Sequence, residues 1–594
     1  MVYIALTAVL LVTGLLIYMK FNRGIPRKAV GQQSRRMVIT VVVAVIPAAA
    51  ALLPLGNAPV ALALTVALAW MITYPLHFHI TNRKMSPDYE NYMDIIFGIY
   101  SFGMISGLLA LKNFFFPDSI VAGVIIALAE AALLIIPVTE WIYFMMYKGC
   151  IDANGMKLIQ DTNTNEIIEF VHSFPLRKTI LTALAIVALI ALLIIGNMPP
   201  VTVAGDNILI RSAIVAAATI FMVIYVWKQH HGVFVRTGFK TLYDTIKEYS
   251  QKNALYTKHT EERMADLEVE ALGERYARPS TIVMVIGESA SRDYMSCFRE
   301  QDRETTPWMS EMKKDSRHWM LYPHAYSCAM HTVQSLEKSL TEYNQYNGKE
   351  FFSSCSVVDI AHKMGYRVHW YSNQGHLGTN DTPVTLVADT AEVAKWTKQE
   401  VNKVMYDESL LDFLDELDPT TNNFLVIHLK GSHFNYLNRY PETYTQWGEP
   451  GVEDNVLNYK NSIHYTDYIL SRIYDYAKEK LNLQAMVYFS DHASDSNLRR
   501  SPRFNGFKMV RIPLAVYTSD EFISKHKERY EALTSNKDKY FTNDLIYELM
   551  CGIFDIRSNH FDERGSLAYP DYQYTKDNLL TNEGQQKISD DKEE

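Results

Sequence analysis

Apolar runs of the length that crosses a lipid bilayer recur through the first 227 residues of this chain, and they strongly limit its fold there. A helix needs about 20 consecutive apolar residues to span the hydrocarbon core. Runs near this length lie at Met1–Met19, Val38–Leu55, Val60–Phe78, Ser119–Tyr147, Thr179–Ile195 and Leu209–Trp227. A seventh run, Tyr92–Leu111, is weaker because it contains Asp94 and three glycines, so it either spans the membrane or lies in its interface. We predict a transmembrane helical domain over residues 1–230 with about six spans, between five and seven.

The basic segment between the first two runs bears on orientation. Residues Lys20 to Arg36 contain six Lys or Arg and no acid, so the positive-inside rule places them in the cytoplasm. Six crossings then put the C-terminal region outside, whereas seven put it inside. We favour six, without Tyr92–Leu111, because Arg83 and Lys84 then also lie inside. Met1–Met19 lacks a small-residue cleavage site, so we interpret it as an anchor rather than a removed signal.

From Ser280 onward, apolar strand patterns alternate with helical patterns. The strand candidates are Ile282–Ile286, Arg367–Tyr371, Phe424–Leu429, Met486–Phe489 and Ile512–Tyr517. This alternation is typical of an α/β domain with a mostly parallel sheet covered by helices. We expect bridging helices at the membrane surface over residues 231–278, a catalytic α/β domain over 279–575, and a disordered acidic tail over 576–594.

Charge and cysteine usage exclude two classes of function. The net charge is −9, whereas non-specific nucleic-acid binding needs a basic surface, so we expect no nucleic-acid partner. The five cysteines are widely spread and form no CxxC pair, which argues against a zinc ribbon or a thioredoxin-like motif. A disulfide between Cys328 and Cys355 is the less favoured alternative to free thiols.

Two strand candidates end in groups that suit a metal site. Thr281–Ile286 is continuously apolar and is followed by Gly287 and Glu288, and Met486–Phe489 leads to Asp491 and His492. In open α/β sheets, chemistry lies just past the carboxyl ends of the strands. Two carboxylates and an imidazole suit zinc with one open position. Each group alone is more often a cap or a surface pair, and only their combination in one domain favours a metal site.

A hydroxyl and several polar groups complete the candidate site. Thr332 is a candidate fourth ligand, and a metal would lower the pKa of its hydroxyl and make it a nucleophile for phosphoryl transfer. His433, past another strand end, is a candidate to bind phosphate or protonate a leaving group, whereas His428 inside that strand is more typical of a core residue. Asn373 and Gln374 also end a strand, and their amides are candidates to hold phosphate oxygens or a head group.

These residues lie in motifs that resemble those of the bacterial phosphoethanolamine transferases of the alkaline phosphatase/sulfatase superfamily. The matching motifs are Gly287-Glu-Ser-Ala-Ser-Arg292, Arg303-Glu-Thr-Thr-Pro307, Cys328-x-x-x-Thr332, Trp370-x-Ser-Asn-Gln374, Gly431-Ser-His433 and Ser490-Asp-His492. The resemblance implies an N-terminal helical bundle and a periplasmic catalytic domain. It implies zinc ligands at Glu288, Thr332, Asp491 and His492, with Thr332 also the nucleophile and His433 at the substrate site.

Two further segments carry implied substrate contacts. Asp161–Glu166 resembles the lipid-side loop of the family, in which Thr162 and Glu166 would bind substrate. The Ser-Asp-His motif continues with Ala-Ser instead of the usual Gly-Glu, and Arg499–Phe507 lacks the histidine of the lipid A branch. Arg503 in that stretch is a candidate to take over phosphate contact. The Trp-x-Ser-Asn-Gln form is closer to the branch that modifies core sugars or glycans.

The leading hypothesis is a zinc-dependent transferase in the bacterial inner membrane. It takes phosphoethanolamine from phosphatidylethanolamine, holds it on Thr332, and passes it to a lipid-linked sugar such as lipopolysaccharide core or lipid A. We expect a multi-pass monomer with its catalytic domain in the periplasm. The alternatives are a phosphoglycerol transferase of the same superfamily, and a transporter or scaffold with an inactive transferase-like domain.

Overall fold

The computed structural model describes residues 27–51, 55–80, 91–147, 151, 176–201, 206–228, 232–253, 255–374, 382–397, 404–497, 504 and 506–593. Four sequence predictions fall elsewhere: the anchor Met1–Met19 and the substrate contacts Thr162, Glu166 and Arg503 lie outside the described residues. The chain divides into two compact units, one of helices up to Tyr249 and one from Ser250 onward.

Long helices make up the first unit within the described residues. They are α1 Arg27–Ala51, α2 Asn57–Ile80, α3 Asn91–Phe115, α4 Ile120–Tyr147, α5 Leu176–Asn197, α6 Ile208–Trp227 and α7 Gly238–Asn253. Four described segments are long and apolar enough to cross a membrane: Asn57–Leu76, Tyr92–Phe115, Ile120–Phe144 and Ile208–Trp227. Ala183–Asn197 is a shorter apolar helix segment. Apolar side chains such as Val121 and Leu209 face outward, which is typical of a surface that contacts lipid.

Helix α3 corrects the topology argument drawn from the sequence. The stretch that we favoured as a non-spanning segment is a helix long enough to cross, and 89% of its apolar window is buried among other helices. It packs against α1, α2, α4 and α6. Asp94, which weakened the prediction, is buried and accepts hydrogen bonds from the Gly238 amide at 3.2 Å. The count of six crossings left out this helix, so that count does not support placing the C-terminal domain outside.

The second unit is an α/β domain. Its helices are α8 Leu255–Lys258, α9 Thr260–Asp266, α10 Pro307–Met312, α11 Thr332–Ser339, α12 Val357–Lys363, α13 Pro383–Ala388, α14 Asn455–Lys480, α15 Asp520–Lys525, α16 Lys527–Ser535 and α17 Ile546–Ile553. Its strands are β1 Val269–Ala271, β2 Thr281–Gly287, β3 Trp319–Leu321, β4 Ala325–Tyr326, β5 Arg367–Ser372, β6 Val393–Trp396, β7 Asn423–His428, β8 Leu483–Ser490, β9 Leu514–Thr518, β10 Phe541–Thr542, β11 Ile556–Ser558, β12 Leu580–Thr581 and β13 Gln586–Lys587.

A seven-stranded sheet forms the centre of this domain, in the order β3-β9-β8-β2-β7-β5-β6. Strands β8, β2, β7, β5 and β6 are parallel, and β9 runs antiparallel to both β8 and β3. The predicted mostly parallel sheet is thus confirmed. Strand β2 is buried on both faces: Ile282 and Met284 enter one hydrophobic core and Val283 and Val285 enter the other. This two-sided burial explains the unbroken apolar run in the sequence.

The C-terminal segment corrects another expectation. Residues 576–594 were expected to be a disordered tail, but the structure gives residues up to 593 defined contacts. Leu579 and Ile588 are fully buried in the core, and Asp591 forms a buried ion pair with Arg511, with Oδ2 at 2.8 Å from Nε. The segment is polar on average, but it contains two buried apolar side chains and one partner of a buried ion pair.

The thiols within the described part of the chain are reduced. Cys297, Cys328, Cys355 and Cys551 are all free and buried. The alternative of a Cys328–Cys355 disulfide is therefore not realised, and free thiols in these positions remain available as ligands.

Candidate active site

The ends of two neighbouring parallel strands bring three candidate metal ligands together. Gly287 of β2 lies opposite Ser490 of β8, so the residues that follow, Glu288 on one strand and Asp491 and His492 on the other, meet at one edge of the sheet. All three are at most 1% exposed. Their ligand atoms lie within 4.8 Å of one another. The two strands are some 200 residues apart in the sequence, and their register in the sheet brings these side chains together.

Ser289 orients both carboxylates. Its backbone adopts a φ of 59°, a left-handed conformation that is uncommon for a residue other than glycine. Its amide donates to Asp491 Oδ1 at 2.9 Å, and its hydroxyl donates to Glu288 Oε1 at 2.6 Å. Strained backbone of this kind is concentrated at functional sites, because the surroundings must hold it in place.

His492 presents one ring nitrogen to the cluster. Nδ1 lies 3.0 Å from the Ala493 carbonyl, so it carries the proton and donates there. Nε2 is then the lone-pair nitrogen, and it lies 3.2 Å from Asp491 Oδ2 and 3.5 Å from Glu288 Oε1. A histidine whose other nitrogen donates to a carbonyl is the usual arrangement of a metal ligand. Two carboxylates and this imidazole fit a divalent cation such as zinc.

Thr332 joins the cluster as the fourth group. It is the first residue of α11, and its hydroxyl donates to Glu288 Oε2 at 3.0 Å and lies 3.4 Å from His492 Nε2. Unlike the three ligands, Thr332 is partly exposed. A hydroxyl at a helix N-terminus, open on one side and next to a cation site on the other, is well placed to act as a nucleophile.

The loop after β7 supports Glu288 from the other side. Gly431 has a φ of +51°, and a Cβ there would lie 2.8 Å from the Glu288 carbonyl oxygen, so this close approach requires glycine. The next residue, Ser432, donates its amide to the same oxygen at 2.9 Å. This loop therefore fixes the backbone of the first carboxylate ligand.

Asn373 holds that loop instead of facing a ligand, which differs from the sequence prediction. It is fully buried, and its amide nitrogen donates to Asp407 Oδ1 at 2.8 Å, while its oxygen accepts from Thr397 at 2.6 Å. Asp407 in turn accepts the amides of Lys430 and Gly431 at 2.7 and 2.9 Å. From sequence, a polar residue after a strand does not reveal whether its side chain turns inward or outward.

The remaining predicted residues lie on the same side of the sheet. The Gln374 side chain donates to the Leu429 carbonyl at 2.6 Å, and partly exposed His433 follows the loop that contacts Glu288. His428 is buried, and burial lowers its pKa to about 4 against the opposing effect of Glu288, so it stays neutral at neutral pH.

Three donors that the sequence did not indicate hold the Asp491 backbone. Its carbonyl oxygen accepts from Ser327 and Ser335 at 2.6 Å each and from Asn543 at 2.8 Å. Asn543 also accepts the Cys328 amide at 2.8 Å, so it links the ligand strand to the segment before Thr332. No local motif surrounds Asn543, and only the fold brings it here.

The C-terminal segment contacts the same nucleophile loop, defined as Ser327–Thr332. The Thr581 hydroxyl donates to the Ser327 carbonyl at 2.6 Å, and the Glu583 amide donates to the Cys328 carbonyl at 2.9 Å. The segment that we expected to be disordered therefore supports the loop that carries Thr332.

The chain is similar to several known proteins. Residues 280–551 match the Sulfatase family model. Phosphoethanolamine transferase EptC of Escherichia coli (strain K12) is 23% identical over 524 residues, which cover 80% of this chain and 88% of the relative. Phosphoethanolamine transferase OpgE of the same strain is 30% identical over 248 residues, which cover 39% of this chain and 44% of the relative.

The fold also resembles that of a complete membrane protein. The integral membrane protein lipooligosaccharide phosphoethanolamine transferase A (EptA) from Neisseria meningitidis superimposes with a TM-score of 0.54 at 16% identity. The match covers 86% of this chain and 98% of that protein, so it includes helices as well as the α/β domain. This likeness confirms the predicted fold class: a helical membrane domain followed by a sulfatase-like domain.

Proposed function

We propose that this chain is a zinc-dependent phosphoethanolamine transferase, because residues 280–551 match the Sulfatase family model and its relatives include phosphoethanolamine transferases. In this proposal phosphatidylethanolamine is the donor, Thr332 is the covalent carrier, and a lipid-linked glycan is the acceptor. The names of several relatives support the transferred group, and a Kdo(2)-lipid A phosphoethanolamine 7''-transferase of Salmonella typhimurium, 25% identical over 262 residues, supports the acceptor class.

One observation carries the proposal: the Thr332 hydroxyl lies 3.0 Å from Glu288 Oε2 and 3.4 Å from His492 Nε2. A hydroxyl that only capped a helix would not need two buried carboxylates and an imidazole beside it. Zinc, when bound by Glu288, Asp491 and His492, lowers the pKa of this hydroxyl and stabilises negative charge on phosphoryl oxygens.

In the first step the Thr332 oxygen attacks the phosphorus of the donor lipid. A bond from phosphorus to Oγ1 forms while the hydroxyl proton passes to solvent, to which Thr332 is partly exposed. The bond from phosphorus to the glycerol oxygen breaks, and diacylglycerol leaves with a proton, for which His433 is the proposed donor. The phosphoryl group then lies at the N-terminus of α11, where unpaired backbone amides favour negative charge.

In the second step an acceptor hydroxyl attacks the same phosphorus, and the bond to Oγ1 breaks. The acceptor hydroxyl gives its proton to His433, Thr332 regains a proton from solvent, and phosphoethanolamine is carried to the glycan. Gln374, Thr162, Glu166 and Arg503 are proposed to contact donor or acceptor, whereas Asn373 is proposed to act through the loop that holds Glu288.

The proposed setting is the bacterial inner membrane, with a multi-pass bundle, a periplasmic catalytic domain and a monomeric protein. The apolar helices and the fold of the relative from Neisseria meningitidis support a membrane location. Phosphatase and fluorescent-protein fusions after residue 593 test the side of the membrane: phosphatase activity supports the periplasm, and fluorescence alone contradicts it.

A covalent adduct on Thr332 tests the reaction. The full-length protein in detergent is incubated with phosphatidylethanolamine, stopped in acid, digested and analysed by mass spectrometry. We expect the peptide that contains Thr332 to gain the mass of phosphoethanolamine less water. The Thr332→Val variant, close in shape, should show no adduct, whereas Thr534→Val on an exposed helix position should behave as wild type.

The other outcomes separate the alternatives. An adduct formed only from phosphatidylglycerol, with the mass of phosphoglycerol less water, would replace the donor and favour the phosphoglycerol transferase. No adduct from either lipid, together with no bound metal, would contradict an enzyme and favour the scaffold.

A further inference from the structure

A second group of metal-ligand side chains lies apart from the catalytic cluster. Glu342, Cys355 and His560 each offer one ligand atom, and these atoms lie within 4.8 Å of one another. Glu342 and Cys355 are buried, and His560 is partly buried. The helix α11, eight residues and about 12 Å long, runs between Thr332 and the segment that carries Glu342, so the two clusters are distinct.

Backbone pairing places two of these residues opposite each other. Thr341 and Ser356 form an antiparallel bridge, the Glu342 amide donates to the Cys355 carbonyl at 2.9 Å, and the Cys355 amide donates to Glu342 Oε1 at 3.0 Å. Hydrogen bonds from two backbone amides therefore hold Glu342 and Cys355 next to each other, and these bonds do not depend on any ion.

His560 closes the cluster from a third segment, just after β11. Its Nδ1 lies 2.8 Å from Glu342 Oε1, and its Nε2 lies 3.0 Å from Asp266 Oδ2. A carboxylate on the outer ring nitrogen is the arrangement that orients histidine ligands in zinc sites. The partial exposure of His560 provides an entry path for an ion.

The donor set selects a class of metal. Thiolate and imidazole favour zinc and similar divalent transition metals, whereas magnesium and calcium prefer an all-oxygen set. Glu342, a Cys355 thiolate and Asp266 would together balance the charges of Lys349 and a divalent ion, so the loaded cluster would be electrically neutral. Binding would release the thiol proton of Cys355 and any proton shared between His560 and Glu342.

A plain ion-pair network explains part of this arrangement. Lys349 contacts Glu342 Oε2 and balances the charge of that carboxylate. His560 lies between the carboxylates of Glu342 and Asp266, as a protonated histidine does in the same network, so both ring contacts also fit ion pairs. The network gives no role to the buried Cys355 thiol, whereas a metal site does.

We infer that Glu342, Cys355 and His560 bind one zinc-class divalent cation that is separate from the catalytic metal. The ion joins the segment after α11, the segment before α12 and the turn after β11. Since α11 begins with Thr332, the site holds the far end of the helix that carries the nucleophile, and its role is structural.

Cobalt substitution tests this assignment because only one of the two clusters contains a thiol. The full-length protein in detergent is stripped of metal with a chelator and reloaded with Co²⁺. Thiolate bound to Co²⁺ absorbs in the near ultraviolet through charge transfer. We expect this band in the wild-type protein and in Asp491→Asn, and we expect its loss in Cys355→Ser. Cys297→Ser, another buried thiol near neither cluster, should keep it.

Zinc content gives a second readout. Wild-type protein should hold about one equivalent more zinc than Cys355→Ser, and Asp491→Asn should lose a different equivalent, so that the double variant loses both. Absence of the thiolate band in wild-type protein that has bound Co²⁺ would overturn the inference, and this result does not depend on whether any variant folds. Unchanged zinc content in a folded Cys355→Ser protein would overturn it as well.

Discussion

Glu288, Asp491 and His492 are presented by the ends of two neighbouring strands, whereas Glu342, Cys355 and His560 come from three connecting segments. The first cluster is oriented by backbone amides and hydroxyl groups and has the Thr332 hydroxyl at its open side. The second has a lysine on its carboxylate and a carboxylate on its histidine, so its charges are largely balanced before any ion binds.

Under the two proposals above, this difference would separate a site for chemistry from a site for structure. Buried carboxylates that accept hydrogen bonds mainly from neutral donors keep their negative charge, so they favour the binding of a cation. A cation bound in this way can still interact with a substrate. A cluster whose charges are already balanced is stabilised less by a bound ion, and its residues keep their positions without one. We therefore expect metal removal to abolish activity at the first site and to loosen the fold locally at the second.

The largest expected effect comes from Asp491→Asn. Loss of one anionic ligand should release the catalytic metal and lower transferase activity by at least about 1,000-fold, because the charge on the phosphoryl group is no longer stabilised. Activity and zinc content are measured on the same preparation. Asp495→Asn, four positions later and bonded to Tyr294, is the matched control and should keep its zinc. A metal-free but active Asp491→Asn enzyme would contradict the assignment of the first cluster.

An intermediate effect is expected for Asn543→Ala, which removes a hydrogen bond to the Asp491 carbonyl and leaves the ligand side chains unchanged. Activity should fall by about 10- to 100-fold, as for other residues that orient metal ligands. The control is Asn536→Ala, because Asn536 is also buried and donates to two carbonyls, those of Leu567 and Tyr569, far from the cluster in sequence. Both variants should lose about 1–3 kcal/mol of stability. Equal activity losses in the two would show that Asn543 acts only through stability.

Asp467 provides a reference carboxylate outside both clusters, and it forms no ion pair with a lysine among the described residues. It accepts the amides of Trp308 and Met309 at 2.8 and 3.0 Å, and burial raises its pKa to about 7. The folded state thus favours the protonated form, so its stabilising contribution is complete below about pH 4 and is lost as the pH rises through about 7.

Thermal melts followed by tryptophan fluorescence check this sign. From about pH 5 to about pH 8, wild-type protein should lose stability relative to Asp467→Asn, by an amount of the order of a few kcal/mol. Asp475→Asn, exposed on the same helix α14, should show no such pH-dependent difference. If the difference grew toward low pH instead, the carboxylate would be ionised in the folded protein.

The smallest effect is expected for Thr581→Val. The variant keeps the shape of the side chain and removes the hydrogen bond to the Ser327 carbonyl, which should cost about 1 kcal/mol. We expect kcat to fall by no more than a few-fold while zinc content stays unchanged. Thr575→Val serves as control, because the Thr575 hydroxyl contacts only Asn578 among the described residues. Loss of zinc from Thr581→Val would mean that the C-terminal segment supports the ligands and not just the loop.

Local sequence patterns were enough to predict the sheet and two of its ligand-bearing ends. Strand β2 is apolar throughout because both faces are buried, and the carboxylates at its end and at the end of β8 follow the general position of sites in α/β sheets. The same reasoning gives Thr332 as a weaker candidate for fourth ligand and nucleophile, since a threonine at a helix start has many ordinary roles, and the family resemblance supports it.

Other features depend on distances that the sequence does not contain. Asn543 and Thr581 reach the nucleophile loop across more than 200 residues. Asn373 was assigned to substrate because its position after a strand suits binding, yet its side chain turns inward to Asp407. The burial of α3 likewise follows from its neighbours and not from its composition, because Asp94 is compensated by a helix start that lies 144 residues away.

The contacts of the C-terminal segment set a condition on biosynthesis. The hydroxyl that donates to the Ser327 carbonyl belongs to Thr581, which is synthesised 254 residues later. Likewise, the buried guanidinium of Arg511 pairs with Asp591, which is synthesised 80 residues after it. Until those residues leave the ribosome, the segment in front of Thr332 lacks part of its framework. We therefore expect a prematurely terminated chain to hold Thr332 less firmly than the full-length protein does.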